Sequence, residues 1–121
     1  MGIVDFARQQ SRHDPHTIAH LGAMEAAVWT MSACLDRAGN EIDQSPQDAH
    51  AAQQCALMCR HQIEQSCSEI LLRFGRAYGP YPLAFVAEIS SRCQELALYL
   101  RQCHAERDLA KLGELLFSDR P

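Results

Sequence analysis

Apolar residues recur every three or four positions along three long stretches of this chain. In the first stretch they are Ile18, Leu21, Met24, Val28, Met31, Leu35 and Ala38. In the second they are Ala52, Ala56, Cys59, Ile63, Cys67, Ile70, Phe74 and Ala77, and in the third Val86, Ile89, Cys93, Leu96, Leu100 and Cys103. Because this spacing places each set on one face of an α-helix, the pattern predicts three long amphipathic helices.

Capping and turn residues mark the predicted ends of these helices. Asp14 is a good N-cap for the first helix, and Gly39 begins the Gly-Asn pair expected to end it. Ser45, followed by a proline, predicts the start of the second helix. The prolines at 80 and 82 force a turn, and Pro82 can occupy the first turn of the third helix.

The resulting prediction is an all-α fold, with a single domain over residues 1–121. It is an antiparallel bundle of three long helices plus a short C-terminal helix, similar to a four-helix bundle. The predicted segments are an N-terminal arm over 1–13, long helices over 14–38, 46–78 and 82–104, and a short helix over 107–117.

The apolar faces are wide for a monomer of this size. They include Trp29, Phe74, Phe85 and Tyr99, and one short helix is a small cover for three long rods. We therefore expect a shared interface, most simply a two-fold homodimer that completes the bundle.

Composition narrows the function classes. The 121 residues carry a net charge of -4, and the 11 basic residues are spread singly along the helices, which argues against nucleic-acid binding. No uninterrupted apolar run reaches the roughly 20 residues of a membrane span, and the N-terminus lacks the pattern of a signal peptide. These features predict a cytoplasmic protein without a membrane partner, in which the six cysteines are core thiols.

Two pairs of metal-binding residue types occur four positions apart, which puts both members on one helix face: His16 with His20, and Cys55 with Cys59 near His50 and His61. A soft-metal or redox site is one interpretation of these pairs. The alternative is solvated histidines and core cysteines, and it is favoured because no third ligand has a telling spacing. The prediction is therefore that no metal is bound.

A compact charged string follows the third helix, over residues 101–108. Glu106 or His104 could act there as a general base beside cations that hold an anionic group. The same residues also suit a solvated helix end with pairs such as His104 and Asp108. Taken without other evidence, residues 101–108 are better explained as a solvated helix end than as a catalytic site.

Three segments resemble the C-terminal helical domain of bacterial acyl-CoA dehydrogenase-like flavoproteins. The first is His20-Leu21-Gly22-Ala23-Met24-Glu25-Ala26-Ala27, and the second runs from Asp43 to Pro46 and into the Ala-rich helix. The third combines Arg76-Ala77-Tyr78-Gly79-Pro80-Tyr81-Pro82-Leu83 with Tyr99-Leu100-Arg101-Gln102-Cys103-His104-Ala105-Glu106-Arg107-Asp108-Leu109-Ala110-Lys111-Leu112-Gly113. The resemblance covers roughly residues 14 to 113, and its ending is the most specific part.

The resemblance implies an assembly role and part of a site for FAD and acyl-CoA. In such enzymes a glycine turn between the last helices approaches the flavin. That places the backbone of the turn near the cofactor, and Glu106 becomes the substitute for the family's catalytic glutamate. The cofactor-binding residues implied in this way are Tyr78, Gly79, Pro80, Arg101, His104 and Arg107.

The chain also departs from this family. Its N-terminal and middle domains are missing, as is the first helix of the C-terminal domain with its flavin-contacting loop. The expectation is therefore a domain that is not catalytic alone and that works with a flavin-domain chain or as a homodimer. The alternative is a small dimeric helical interaction module without enzymatic activity.

Overall fold

The fold is all-α, as the sequence pattern predicts. The computed structural model describes residues 2–10, 13–102 and 104–118, and no strand occurs within these ranges. The helices are α1 (Ile3–Arg8), α2 (Pro15–Gln44), α3 (Ala49–Tyr78), α4 (Tyr81–Phe85), α5 (Ala87–Gln102) and α6 (Ala105–Ser118).

An antiparallel pair of long helices, α2 and α3, forms the centre of the molecule. The Cys67 thiol lies 3.6 Å from the sulfur of Met31, near the middle of both helices. Towards one end of the pair, the Cys55 thiol lies 3.7 Å from the carbonyl oxygen of Ala38. Later residues of α2 therefore contact earlier residues of α3, so the two helices run antiparallel. This is the arrangement expected for two helices joined by a short turn.

The beginning of each long helix is capped by an aspartate. The carboxylate of Asp14 accepts a hydrogen bond from the Thr17 amide at 3.1 Å, as predicted. The carboxylate of Asp48 accepts a hydrogen bond from the Ala51 amide at 3.0 Å. Asp48 is therefore the N-cap of α3, in place of the predicted Ser45. The residues between Ser45 and Asp48 form a turn in which the Asp48 amide donates to the Ser45 carbonyl at 3.0 Å.

Two predicted boundaries differ from the observed ones. α2 continues through Gly39 and Asn40 to Gln44, because neither residue adopts the left-handed conformation that ends a helix. Gly79 has a positive φ of 64° with ψ of −154°, a conformation that glycine adopts far more readily than other residues, and α3 ends there. The predicted helix over 82–104 is two helices, separated at Val86 by an extended backbone with φ of −114° and ψ of 91°. Its predicted final apolar residue, Cys103, lies outside the described residues.

The predicted N-terminal arm contains a helix of its own, α1. Ile3 and Ala7 are buried in the core, and the ring of Phe6 lies 5.9 Å from that of Phe74. The hydroxyl of Tyr78 donates to the Ala7 carbonyl at 3.1 Å. α1 is therefore held by packing and by hydrogen bonding against the end of α3.

The buried core occupies only one half of the bundle. Met24, Phe74 and Ile89 are at most 2% exposed and lie together with the buried residues of α1. We call this the closed half: the N-terminal part of α2, the C-terminal part of α3 and the N-terminal part of α5. The opposite half, formed by the other ends of these helices, has few buried side chains, and we call it the open half.

α6 covers the outer side of α3 in the open half. Arg60 of α3 forms an ion pair with Asp108 at 3.0 Å, and the side-chain amide of Gln54 donates to the Leu115 carbonyl at 3.4 Å. Leu115 is the buried residue of this helix. α6 therefore lies on the face of α3 that points away from α2.

α2 is long and apolar enough to cross a membrane, judged by length and composition alone. In this fold one face of α2 packs along α3 and against α1, and 11% of its apolar window is buried inside the molecule.

Candidate functional site

An apolar cleft of about 290 Å³ lies in the open half, between α2, α3 and α5. Two charged residues of α3, Arg60 and Glu64, contribute to its lining. The apolar part of the lining comes from Ala38, Ile42, Ala56, Cys59, Ile63 and Tyr99. In a complete bundle these positions would face another helix, so the cleft marks where the interior is not filled.

This cleft continues a groove that begins in the closed half. A second cavity, of about 410 Å³, lies between this cleft and the core of the closed half, next to the N-terminal end of α1. Its lining includes Met31 of α2, Ile70 of α3 and Leu96 of α5. We call the concave surface that α2, α3 and α5 form together the central groove. α1 fills its closed half, and its open half is accessible to solvent.

Large apolar side chains are exposed beside the open half. Leu35 is 57% exposed on α2 and Tyr99 is 54% exposed on α5. Trp29, the one tryptophan of the chain, is 74% exposed at the middle of α2, outside the lining of this cleft. Single exposed apolar residues are ordinary, but several beside an apolar cleft are typical of a surface that contacts another molecule.

A smaller polar pocket of about 150 Å³ lies beside the cleft, at the junction of α5 and α6. It is lined by Arg60, Tyr99, Gln102, His104, Arg107 and Asp108. Sequence reasoning named His104 and Arg107 but missed Arg60, whose only signal was a charge next to the apolar line of the second helix. Arg60 and Tyr99 line both the cleft and this pocket, so a cationic region adjoins an apolar one.

The other members of the charged string do not line this pocket. Arg101 is exposed in the last turn of α5, and Glu106 is exposed in the first turn of α6. Glu106 therefore faces solvent in this structure.

The predicted flavin-side turn lies at the closed end of the bundle. Tyr78 packs its ring 5.2 Å from that of Phe74, and Gly79 and Pro80 follow it at the surface. The 16 residues of α5, about 24 Å of helix at 1.5 Å per residue, separate this turn from His104. The predicted cofactor-binding residues thus form two groups at opposite ends of α5.

Three thiols lie together on the outer side of the α2–α3 pair, around a cleft of about 370 Å³ lined by Cys34, Cys55 and Cys59 among others. The Cys55 thiol donates to the Glu41 carboxylate at 3.4 Å. Burial raises the pKa of the Cys55 thiol, and the hydrogen bond to Glu41 raises it further. Burial is the main cause that raises the pKa of the Cys59 thiol, and the nearby Cys34 raises it further. The raised pKa of the Cys55 and Cys59 thiols disfavours the thiolate form that binds metal ions.

The histidines with metal-ligand spacing take other roles. His20 lies 3.4 Å from the guanidinium of Arg73, and His50 lies 3.2 Å from the side-chain amide of Gln54. His16 is exposed. Within residues 2–10, 13–102 and 104–118, no group of three or more His, Cys, Asp or Glu side chains is arranged to hold a metal ion.

Compared with protein-family models, with curated proteins and with solved structures, the chain matches none of them.

Proposed function

We propose that this chain is a helical assembly domain of an acyl-CoA dehydrogenase-like flavoprotein, with part of a FAD and acyl-CoA site but without catalysis of its own. The observation that carries the proposal is the half-filled central groove, which has a packed core at one end and an apolar cleft at the other. A bundle with this distribution gains stability when another protein surface covers the cleft.

Exposed apolar side chains favour assembly energetically. Leu35 is 57% exposed beside the cleft, and Ile63 is half-buried in its wall. Burying a fully exposed side chain of this size contributes about 1.5–3 kcal/mol, so covering the exposed half of one contributes about 1 kcal/mol. Several of them covered together offset part of the entropy lost on association. The assembly part of the proposal follows from this balance.

The cofactor part rests on the resemblance and on the polar pocket. His104 and Arg107 lie with Arg60 around this pocket, and guanidinium groups suit phosphate oxygens. At about 150 Å³ the pocket is smaller than a typical cofactor site of roughly 300–1,000 Å³. These residues therefore fit one phosphate-bearing portion of a nucleotide or coenzyme, and a partner chain must supply the rest.

In this proposal Arg101 lies close enough along α5 to add positive charge near the same portion of the ligand. Tyr78, Gly79 and Pro80 contribute backbone to a separate contact at the other end of α5. Glu106 becomes a base only if the partner chain brings a substrate to its exposed carboxylate. When FAD is bound it supplies the redox chemistry, and this chain's residues hold anionic groups and exclude water.

The experiment is a titration of FAD and of an acyl-CoA, followed by flavin absorbance and by calorimetry. It uses the protein alone and together with the product of the neighbouring reading frame. We expect uptake only in the mixture, weakened by Arg107→Ala and unaffected by Arg92→Ala. Arg92 is the matched control because its guanidinium lies 3.9 Å from Glu95 on α5, away from the pocket. A colourless mixture that binds neither compound would contradict the cofactor part.

A second candidate is a homodimeric interaction module without enzymatic activity. The observation that favours it is an exposed aromatic pair on α4, where Phe85 is 74% exposed and its ring lies 5.0 Å from that of Tyr81. A dimer seen by light scattering and disrupted by Phe85→Lys would support this candidate. Persistence of the dimer in that variant would exclude α4 as its interface.

The proposal places the protein in the cytoplasm, without a nucleic-acid or membrane partner. The net charge of -4 and the scattered distribution of basic residues support the absence of a nucleic-acid partner. Fractionation of cells that express the full chain tests the location.

A further inference from the structure

α1 shows which kind of element the central groove binds. Its buried residues, Ile3 and Ala7, lie four positions apart and face the groove, with Phe6 packed beside them. This is the spacing of an amphipathic helix laid into an apolar groove. The groove is thus already used for helix binding within the molecule.

The direction of α1 shows where a second helix would lie. The C-terminal end of α1 is fixed near the beginning of α2, where Arg8 forms an ion pair with Glu25. Phe6 and Ala7, near the same end of α1, contact Tyr78 at the closed end of α3. The N-terminal end of α1 therefore points away from that end, and Gly2 lines a cavity with Met31 of α2. A line drawn from Arg8 through Gly2 therefore leads into the open half of the groove, towards the cleft at Ile63.

The edge of α2 beside this line is acidic. Glu25, Asp36 and Asp43 are separated by close to whole numbers of helical turns, so they share one side of the helix. Glu25 already pairs with a basic residue of the groove-bound α1. Asp36 and Asp43 are exposed and continue the same side along the open half. A helix that follows α1 would meet negative charge at both positions.

We propose that the open half of the central groove binds a basic amphipathic helix of another polypeptide, on the line of α1. Its apolar face covers Leu35 and Ile63, and its Lys or Arg side chains face Asp36 and Asp43. This inference rests on the assembly role proposed above and identifies the chemistry of the partner surface.

Fluorescence of Trp29 provides the measurement, since it is the one tryptophan in the chain and lies on α2 between Glu25 and Asp36. The probe is a synthetic helix of about 14 residues, long enough at 1.5 Å per residue to follow α2 from Met31 beyond Ile42. It carries Leu at helical spacing and Lys along one edge. The control peptide has Glu in place of every Lys. We expect the Lys peptide to shift the emission of Trp29 and to bind at least about tenfold more tightly than the Glu peptide.

The double variant Asp36→Lys with Asp43→Lys tests the charge pairing. It should reverse the preference, so that the Glu peptide binds more tightly than the Lys peptide. The matched control, Glu95→Lys with Glu114→Lys, changes net charge equally on exposed sites of α5 and α6 and should keep the original preference. Leu35→Lys should weaken both peptides. Circular dichroism verifies that each variant remains helical.

Equal binding of the two peptides, or binding that follows net charge in both double variants, would overturn the inference. So would a dimer of this chain that covers Leu35 and that neither peptide displaces, because the occupant would then be a second copy. In either case, uptake of FAD with the neighbouring chain would still support the proposed function. The two failures are therefore distinguishable.

Discussion

The hydroxyl of Tyr78 donates a hydrogen bond to the backbone carbonyl oxygen of Ala7 at 3.1 Å, joining the last turn of α3 to the end of α1. The ring of the same tyrosine packs against Phe6 with centroids 6.4 Å apart. One side chain therefore connects the most N-terminal helix to the core by both packing and a polar contact.

Removing this hydroxyl should loosen α1. Tyr78→Phe keeps the ring but leaves the Ala7 carbonyl without this donor, which should lower the free energy of unfolding by about 1 kcal/mol. Urea denaturation measures it. Tyr81→Phe is the matched control, since Tyr81 is 65% exposed and its variant should unfold like the unmodified protein. Equal stability of the two variants would contradict the role assigned to Tyr78.

The closed and open halves should differ in their sensitivity to truncation. Ile70 and Ile63 are the same residue type on α3, and Ile70 is 5% exposed whereas Ile63 is only half-buried. Ile70→Ala should lower the free energy of unfolding by about 2–5 kcal/mol, and Ile63→Ala by less than half as much. Thermal and urea unfolding of the isolated chain test this difference. Similar losses in the two variants would mean that Ile63 is buried in solution as deeply as Ile70.

Acid should release the contact between α1 and α2. The hydrogen bond and charge of Arg8 hold the pKa of Glu25 below its ordinary value of 4.5, despite an opposing effect of burial. A carboxylate whose pKa is lower in the folded state than in the unfolded state stabilises the folded protein at pH values above the unfolded-state pKa. This contribution is lost as the pH falls through the folded-state pKa. Stability should therefore decline below about pH 4.5, and part of that decline should vanish in Glu25→Gln.

The pH dependence is measured by urea unfolding between neutral and acid pH. Glu95→Gln is the control, because the Glu95 carboxylate lies 3.9 Å from Arg92 and is 69% exposed. Its profile should follow that of the unmodified protein. An unchanged profile in Glu25→Gln would show that the ion pair does not contribute.

The thiol of Cys55 should become more reactive when Glu41 is neutralised. Burial raises the pKa of this thiol most, and the hydrogen bond and charge of Glu41 raise it further. Glu41→Gln removes the second contribution, so alkylation of Cys55 near pH 8 should accelerate a few-fold. Peptide mass spectrometry after timed exposure to iodoacetamide measures the rate.

Glu64→Gln serves as the control for this prediction, because Glu64 lines the cleft on the other side of α3. Cys93, which is 7% exposed and whose pKa is raised by burial, should remain unlabelled in every folded variant. Faster labelling of Cys93 would reveal unfolding rather than a change at Cys55.

The sequence pattern was sufficient for the fold class and for the core-facing positions of the closed half. Met24, Phe74 and Ile89 all belong to the predicted apolar lines, and they form the centre of the core. The same pattern could not show that Leu35, on the same line as Met24, remains exposed. Periodicity identifies the face of a helix, whereas burial depends on what lies opposite that face.

α1 was missed for a similar reason. Its six residues are too few for a periodic signal, and a helix this short is unstable alone. It forms because Phe6 and Ala7 find partners on α3, which are remote in sequence. The end of α2 was predicted too early because Gly39 and Asn40 are common at helix ends, yet their backbone can also remain helical.

The two groups of predicted site residues could not have been separated from sequence. Gly79 and His104 belong to two segments of one resemblance, which carries no information about their distance in space. The length of α5 places them at opposite ends of the molecule. Arg60 joins the second group only because α6 folds back onto α3 and brings Asp108 to it.

The position of Gly2, beside the cavity that leads into the open half, has a practical consequence for anyone who purifies this protein. An affinity tag fused to the amino end emerges where a docking helix would lie, and it can act as a competitor. A tag fused after α6 emerges on the far side of α3 and leaves that path clear. Binding constants measured with the two fusions should differ, and the carboxyl-tagged protein is the one to use.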